Sequence, residues 1–201
     1  MEKDIIEQYK QDPLSIYTKN FFRVRRRYTV WEKEFGRHIV EYFKINSVVD
    51  FGCALASYIS GAKEKGATIL GFEYGYENLK EYLSEDVKNY VKYGNVMAKI
   101  ECGKFDLSMS IEVAEHILPD KSDMFVENLV NSSNKYILVT TATPGQGGLA
   151  HINEQPKEFW IEKFEKYGFM YNKEITMDLI KSRTSKLPKH IRKNMMIFIK
   201  E

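Results

Sequence analysis

The spacing of apolar residues changes along the chain, and each change predicts a new kind of element. Over the first 45 residues Phe21, Val24, Tyr28, Trp31, Phe35 and Ile39 recur at steps of three or four, which predicts helix with one apolar stripe. Arg23, Arg26, Arg27 and Lys33 fall mostly off that stripe. The pattern then becomes that of short buried strands. Residues 47–52 form a β-branched run ending in Asp50 and Gly52, with a helical stretch to Gly66 behind it. Residues 67–73 predict a second strand, followed by helix through about Leu83. A third strand fits Tyr90 to Tyr93, a fourth Phe105 to Ile111 and a fifth Tyr136 to Thr141, with a helix from Lys121 to Val130 between the last two. Pro156 to Tyr167 predicts an amphipathic helix stopped by Gly168. Phe169 to Thr176 and Met195 to Lys200 predict two final strands, paired as an antiparallel hairpin at the sheet edge.

Strands that alternate with helices at this spacing call for a parallel sheet covered on both faces and joined by right-handed crossovers. The expected fold is therefore α/β and Rossmann-like: a doubly wound, mostly parallel seven-stranded sheet, with an antiparallel C-terminal edge strand and N-terminal helices. One domain spans residues 1–201, made of a helical cap (1–45), a ligand-binding core (46–141), and an acceptor loop with C-terminal hairpin (142–201). Ligands of such sheets sit beyond the carboxyl ends of the strands, where the strand order reverses.

Composition narrows the class. With 30 basic and 28 acidic residues the formal charge is only +2, so there is no global electrostatic case for nucleic acid, though a local patch remains open. The basic run at Arg23, Arg25, Arg26 and Arg27 reads either as the solvated face of a helix or as a phosphate- or glycan-binding patch. Cys53 and Cys102 are far apart, without a CxxC pair, which fits a reducing interior. No apolar run approaches the roughly 18 residues of a membrane span. The expectation is a cytoplasmic protein, or one living in a host cell's cytosol.

Residues 50–56, Asp-Phe-Gly-Cys-Ala-Leu-Ala, leave the first core strand and open a helix, where a glycine turn lets backbone approach a bound ligand. Glu73 ends the second strand about twenty residues further on, where a carboxylate accepts hydrogen bonds from ribose hydroxyls. Residues 105–117 run from a strand into Glu112-Val-Ala-Glu115-His116. Together these stretches resemble the class I S-adenosylmethionine-dependent methyltransferases, over about Val48 to Val139. Gly52 keeps its place in that family's Gly-x-Gly-x-Gly turn, while Ala54 and Ala56 stand at the other two positions. The resemblance implies that Asp50, Gly52, Cys53, Ala54, Glu73, Tyr74, Asn95, Val96, Ser110 and Ile111 hold S-adenosylmethionine. Asn95 then contacts the adenine, or is an ordinary turn asparagine.

If Glu112, Glu115 and His116 begin a helix, their offsets of zero, three and four put all three on one face, a set able to hold a divalent ion. The resemblance extends to small-RNA 3′-terminal 2′-O-methyltransferases, which add a histidine from the loop after the fifth strand; His151 stands there. Glu112, Glu115, His116 and His151 are thus the expected ligands of Mg²⁺ or Mn²⁺, against the reading of Glu-Val-x-Glu-His as a structural turn. The polar, glycine-rich loop from Thr143 to Pro156 lies over the expected reaction site and lacks the Gly-Lys-Ser/Thr of a P-loop. Its residues, with Phe159-Trp160, resemble methyltransferases of viral, phage and bacterial glycan-modifying systems. His38 and His190 read as ordinary surface or core histidines.

The expected activity is O-methylation of a sugar hydroxyl on a glycan or glycoconjugate, with His151 and Glu112 as catalytic residues. The alternatives are a quinone-type small-molecule O-methyltransferase, an RNA ribose 2′-O-methyltransferase, and a cofactor-binding module without catalysis. The expected partner is a small-molecule or glycan acceptor rather than nucleic acid or a membrane. The chain's size and helical amino end also suit fusion to a glycosyltransferase.

Overall fold

The computed structural model describes residues 7–9, 11–182 and 187–201; residues 1–6 and 10 of the expected helical cap, and 183–186 of the C-terminal part, lie outside the described residues. Thr18 caps the first helix, α1 (Lys19–Arg25), its hydroxyl accepting from the Phe21 amide at 3.3 Å. A 3₁₀ turn over Arg26–Tyr28 leads into α2 (Thr29–Phe43), which ends on Lys44 in the left-handed conformation. The single apolar stripe expected here is corrected by that turn. Residues in a 3₁₀ helix advance about 120° each rather than about 100°, so the turn rotates α1 out of phase with α2. As a result α1 buries Phe22 completely and leaves Val24 exposed, while α2 buries Phe35 and Ile39 as expected.

The sheet comprises β1 (Ser47–Phe51), β2 (Thr68–Glu73), β3 (Val91–Tyr93), β4 (Phe105–Ile111), β5 (Ser133–Thr140), β6 (Phe169–Tyr171) and β7 (Met195–Lys200). Its order is β3-β2-β1-β4-β5-β7-β6. Strands β1 to β5 pair in parallel, while β7 pairs antiparallel with both β5 and β6. The antiparallel pair lies at the expected edge, with β6 outermost and β7 inside it. The strand expected through Thr176 stops at Tyr171, because Asn172 caps a helix: its Oδ1 accepts from the Ile175 amide at 2.9 Å, and Lys173–Lys181 is helical.

Alternate residues of the central strands feed two separate cores, as the period of two requires. Val48, Leu107, Leu138 and Ile197 face α2 and α3 (Ser57–Glu64), packing with Phe35, Ile39 and Ile59. Val49, Ile137, Val139 and Phe198 face α5 (Ser122–Ser132) and α6 (Lys157–Glu165), packing with Phe125, Trp160 and Phe164. Between β2 and β3 lie α4 (Tyr76–Leu79) and two 3₁₀ turns, Lys80–Tyr82 and Lys88–Tyr90; α7 (Lys173–Lys181) and α8 (Lys189–Asn194) return to the first face through Leu179 and Ile191.

The strand order reverses between β1 and β4, so the carboxyl ends of those two strands open a crevice between them. On the first face of the sheet α2 docks closely on α3. Gly36 lies against the Tyr58 carbonyl and Gly61 against the Lys33 carbonyl, so the two backbones meet with no side chain between them. An added methyl at either glycine would collide with backbone. Gly61→Ala is therefore expected to lower unfolding free energy by about 3 kcal/mol through forced separation of the helices. Urea unfolding measures it; a loss within the scatter of surface substitutions would show that the helices do not depend on this approach.

Candidate active site

Glu73 and the turn after β1 form one end of the site. The Glu73 carboxylate accepts from the Ala54 amide and the Gly75 amide, each at 2.9 Å, which ties the end of β2 to the turn. Burial pushes this carboxyl above its ordinary range, opposed by those two backbone hydrogen bonds. Gly52 has φ +82°, and a Cβ there would lie 2.5 Å from a Val113 methyl, so glycine is required. Ala54 and Ala56 hold φ of 45° and 57°. The turn thus keeps, at two alanines, the left-handed backbone that glycine adopts freely, at roughly 1–2 kcal/mol each.

A cavity of about 490 Å³ starts at this turn. Glu73, Tyr74, Asn95 and Val96 line its first part, and Ile111 and Glu112 its middle. Glu115, His116, His151, Arg25, Trp31 and Tyr58 also line it. The N-terminal segment roofs it: Tyr17 and Phe21 line the cavity, and the Tyr9 hydroxyl donates to the His116 carbonyl at 2.5 Å.

Residues 112–116 do not begin a helix. Glu112 is left-handed at φ 55°, with its amide held by the Thr140 hydroxyl at 2.9 Å, and a single 3₁₀ turn follows at Ala114–His116. The expected common face is therefore broken. Donor atoms of Glu115, His116 and His151 lie within 4.8 Å of one another, and Glu112 is outside that group. Its carboxylate instead accepts from Asn194 at 3.1 Å and faces His190 at 3.8 Å.

The loop after β5 is fixed by a residue that sequence reading passed over. Glu154 accepts from the Gly145 amide at 2.8 Å, the Gly147 amide at 2.7 Å and His151 Nδ1 at 2.9 Å. The Ile152 and Asn153 amides donate to the Glu115 carbonyl at 2.9 and 3.0 Å, and buried Asn153 donates its side-chain amide to the Ala114 carbonyl at 3.2 Å. The loop is thus docked on the 3₁₀ turn, which brings His151 to His116 with ring centroids 5.0 Å apart.

These contacts set the protonation of the cluster. A carbonyl and a carboxylate only accept, so His116 and His151 donate through Nδ1, to Ala150 and Glu154. Both Glu115 carboxylate oxygens are buried without a hydrogen-bond partner among the described residues. Burial, then the charge of Glu112, pushes Glu115 up to about 8. Burial, then His151, pushes His116 down to about 4. For Glu154, burial alone would raise the carboxyl, but hydrogen bonds from His151, Gly145 and Gly147 outweigh it and hold the group below its ordinary value. Glu115, His116 and His151 are residues whose donor atoms could together hold a divalent cation.

Of the expected cofactor residues, Gly52, Ala54, Glu73, Tyr74, Asn95, Val96 and Ile111 line the cavity. Asp50, Cys53 and Ser110 do not: all three are buried beneath it, Ser110 donating to the Phe51 carbonyl at 2.7 Å and Cys53 lying against Gly71. Asn95 also closes its own turn, its Oδ1 accepting from the Met97 amide at 2.9 Å. The residues missed are Arg25 as an inward-facing side chain, Tyr58, Glu154 and the Lys189–Asn194 helix. Only Gly145 and Gly147 before Glu154 offered a local signal, two glycines able to wrap a carboxylate.

No protein-family model matches the chain. An 80-residue stretch, 36% of this chain, is 31% identical to the O-antigen chain terminator bifunctional methyltransferase/kinase WbdD of Escherichia coli. That stretch spans only 11% of the length of WbdD. The crystal structure of magnesium protoporphyrin IX methyltransferase from Synechocystis with bound SAH superposes with a TM-score of 0.65 over 100% of both chains, at 13% identity. The sugar N-methyltransferase KedS8 from a Streptoalloteichus species superposes with a TM-score of 0.64, at 11% identity, over 90% of this chain and 91% of its own. The expected Rossmann-like methyltransferase fold is borne out. No described helix is long and apolar enough to cross a membrane.

The cluster makes a pH prediction for protein free of metal. Glu115 is raised, so its contribution to stability is complete below its unfolded pKa and is lost as pH climbs to about 8. His116 is lowered to about 4, so its contribution is complete above its unfolded pKa, about 6.5, and lost on acidification. Between pH about 6.5 and 8 Glu115 therefore acts without His116. Across that window Glu115→Gln should remove a wild-type Tm decline of roughly 5 °C. Calorimetric curves that run parallel for the two proteins would refute the assignment.

Proposed function

We propose, for a chain with the fold of the S-adenosylmethionine-dependent methyltransferases, that it methylates a sugar hydroxyl of a glycan or glycoconjugate. The observation that carries the reading is one continuous cavity joining the Glu73 turn to the Glu115–His116–His151 cluster. S-adenosylmethionine, when bound, supplies a methyl on a sulfonium sulfur, so the protein must align the acceptor and take its proton. Glu73 suits the ribose hydroxyls, with the Gly52–Ala54 backbone beneath and Tyr74, Asn95 and Val96 at the adenine. Glu115, His116 and His151 are the residues that would hold Mg²⁺ or Mn²⁺; such an ion binds vicinal hydroxyls and acidifies one of them.

His151 is the candidate proton acceptor. Glu154 orients its ring through Nδ1 and stabilises the imidazolium that forms, leaving Nε2 toward the cavity. The same Nε2 serves either as base or as cation ligand, and chelation separates the two. Support for a sugar acceptor comes from the stretch shared with an O-antigen chain terminator and from the fold shared with a sugar N-methyltransferase. The basic run gives little support to RNA: Arg25 turns inward to Glu32 at 2.7 Å and Arg23 is tied to Asn20, also at 2.7 Å. A cytoplasmic location and fusion to a glycosyltransferase belong to this same proposal.

The test is turnover of S-adenosylmethionine on a panel of 6-deoxy and ordinary sugars, with Mn²⁺ or a chelator. Expected are sugar-dependent turnover stimulated by Mn²⁺, and a loss of about 10²–10⁴-fold in His151→Ala, which keeps donor affinity. Chelator-insensitive turnover that still needs His151 assigns it as base without metal. Turnover on quinols or 3′-terminal ribose but no sugar overturns the glycan reading, and donor binding without turnover on any acceptor favours a binding module.

A further inference from the structure

Glu112 stands outside the cation cluster, yet two segments distant in sequence converge on it. Its backbone is left-handed at φ 55°, a conformation that a non-glycine residue keeps only where its surroundings impose it. The topology explains the convergence. Glu112 follows Ile111, which pairs with Thr140 on β5, and Thr140 pairs with Met195 on β7. Because β7 runs antiparallel to β5, its first residue lies at the carboxyl ends of β4 and β5. The helix directly before it, α8, is therefore set down at the ligand end of the sheet.

Asn194 and His190 are four residues apart on α8, so they share one face of it. Asn194 is completely buried; its Nδ2 donates to Glu112 Oε1 at 3.1 Å and to Gln146 Oε1, in the loop of His151, at 3.0 Å. One carboxylate oxygen is thereby fixed, and the other, Oε2, faces His190 Nε2 at 3.8 Å. That separation exceeds a direct hydrogen bond and suits an oxygen placed about 2.8 Å from both atoms. The carboxylate only accepts and the imidazole can donate through Nε2, so the bridging group must donate and accept, as a hydroxyl does. Glu112 and His190 both line the cavity, together with Leu149 of the same loop as Gln146. This part of the wall is open: the His190 side chain is 52% exposed and Leu149 is 54% exposed, whereas Glu73 is buried. A ligand group met here is reached from solvent, as the end of a long glycan is.

We infer that Glu112 and His190 form a specificity-determining pair that binds a second hydroxyl of the acceptor, one that is not methylated. This rests on the sugar-methylation reading above. The reacting hydroxyl belongs to Glu115, His116 and His151, whose donor atoms lie within 4.8 Å of one another without Glu112. Through Gln146, Asn194 ties the pair to the loop that carries His151, the candidate proton acceptor. An acceptor recognised at both places has at least two hydroxyls, which a sugar has and a monohydric phenol lacks.

The test is steady-state kinetics on the panel sugar with the highest kcat/KM and on those of its monodeoxy analogues that are still methylated, using wild type, His190→Ala and Glu112→Gln. Glutamine keeps an acceptor for Asn194, and His190 is half-exposed, so neither change empties the core. Each variant should raise the KM of the parent sugar about 10-fold with kcat within about two-fold, at unchanged S-adenosylhomocysteine and Mn²⁺ affinity by titration calorimetry. One monodeoxy sugar should show the same rise in KM on wild type and no further rise on either variant, because the hydroxyl and its partners act as one contact. Losses that add for every monodeoxy sugar, or a fall in kcat alone, would overturn the pair. Loss of Mn²⁺ binding in Glu112→Gln would make Glu112 a cation ligand and overturn it too. Wild-type protein that turns over no sugar would overturn the sugar reading, and the pair with it.

Discussion

The carboxylate of Glu154 holds one end of the cavity together. Three donors converge on it, the amides of Gly145 and Gly147 and the imidazole of His151. A loop of fourteen residues rich in glycine would otherwise lose much conformational entropy on ordering. Here charge-assisted hydrogen bonds offset part of that cost and fix the tautomer of His151 in the same contact. Docking on the Glu115 carbonyl then sets the distance from His151 to His116. Glu154 thus orients the imidazole, while the Ile152 and Asn153 amides hold the loop on the turn of Glu115.

Strain is stored at the other end. The turn after β1 places Gly52, Ala54 and Ala56 in the left-handed region, and Glu112 after β4 joins them. Each non-glycine residue there costs stability that ordinary turns avoid. Gly52, Ala54 and Glu112 of these turns line the cavity at the reversal of strand order. The α2–α3 contact through Gly36 and Gly61 presses the helical cap against this region, which lets Arg25 and Trp31 reach the cavity from sequence positions far before the turn.

Most of the fold was legible because its strands are short, apolar and β-branched, and their alternate residues feed two cores. Phe169 to Thr176 was not, because Ile175 and Thr176 extend a strand-like run; Asn172 is the capping signal that ends it. The N-terminal stripe failed at Val24 because a three-residue 3₁₀ turn changes phase without changing the spacing of apolar letters. In the site, Gly52, Glu73, Glu115, His116 and His151 were legible as motif residues. Glu112 was grouped with them by helical spacing that its left-handed backbone does not have. His190 was illegible because its neighbour is distant in sequence: Glu112 lies 78 positions before it in the chain.

One cavity is lined both by Glu73 at the turn after β1 and by the Glu115–His116–His151 cluster. The most direct measurement is diffraction at the manganese absorption edge from crystals grown with S-adenosylhomocysteine and MnCl₂. The expected result is nucleoside density at Glu73 and an anomalous peak bounded by Glu115, His116 and His151. A cavity without nucleoside density, or manganese bound elsewhere while the three side chains stay apart from it, would contradict the union of donor site and cation cluster in one active site.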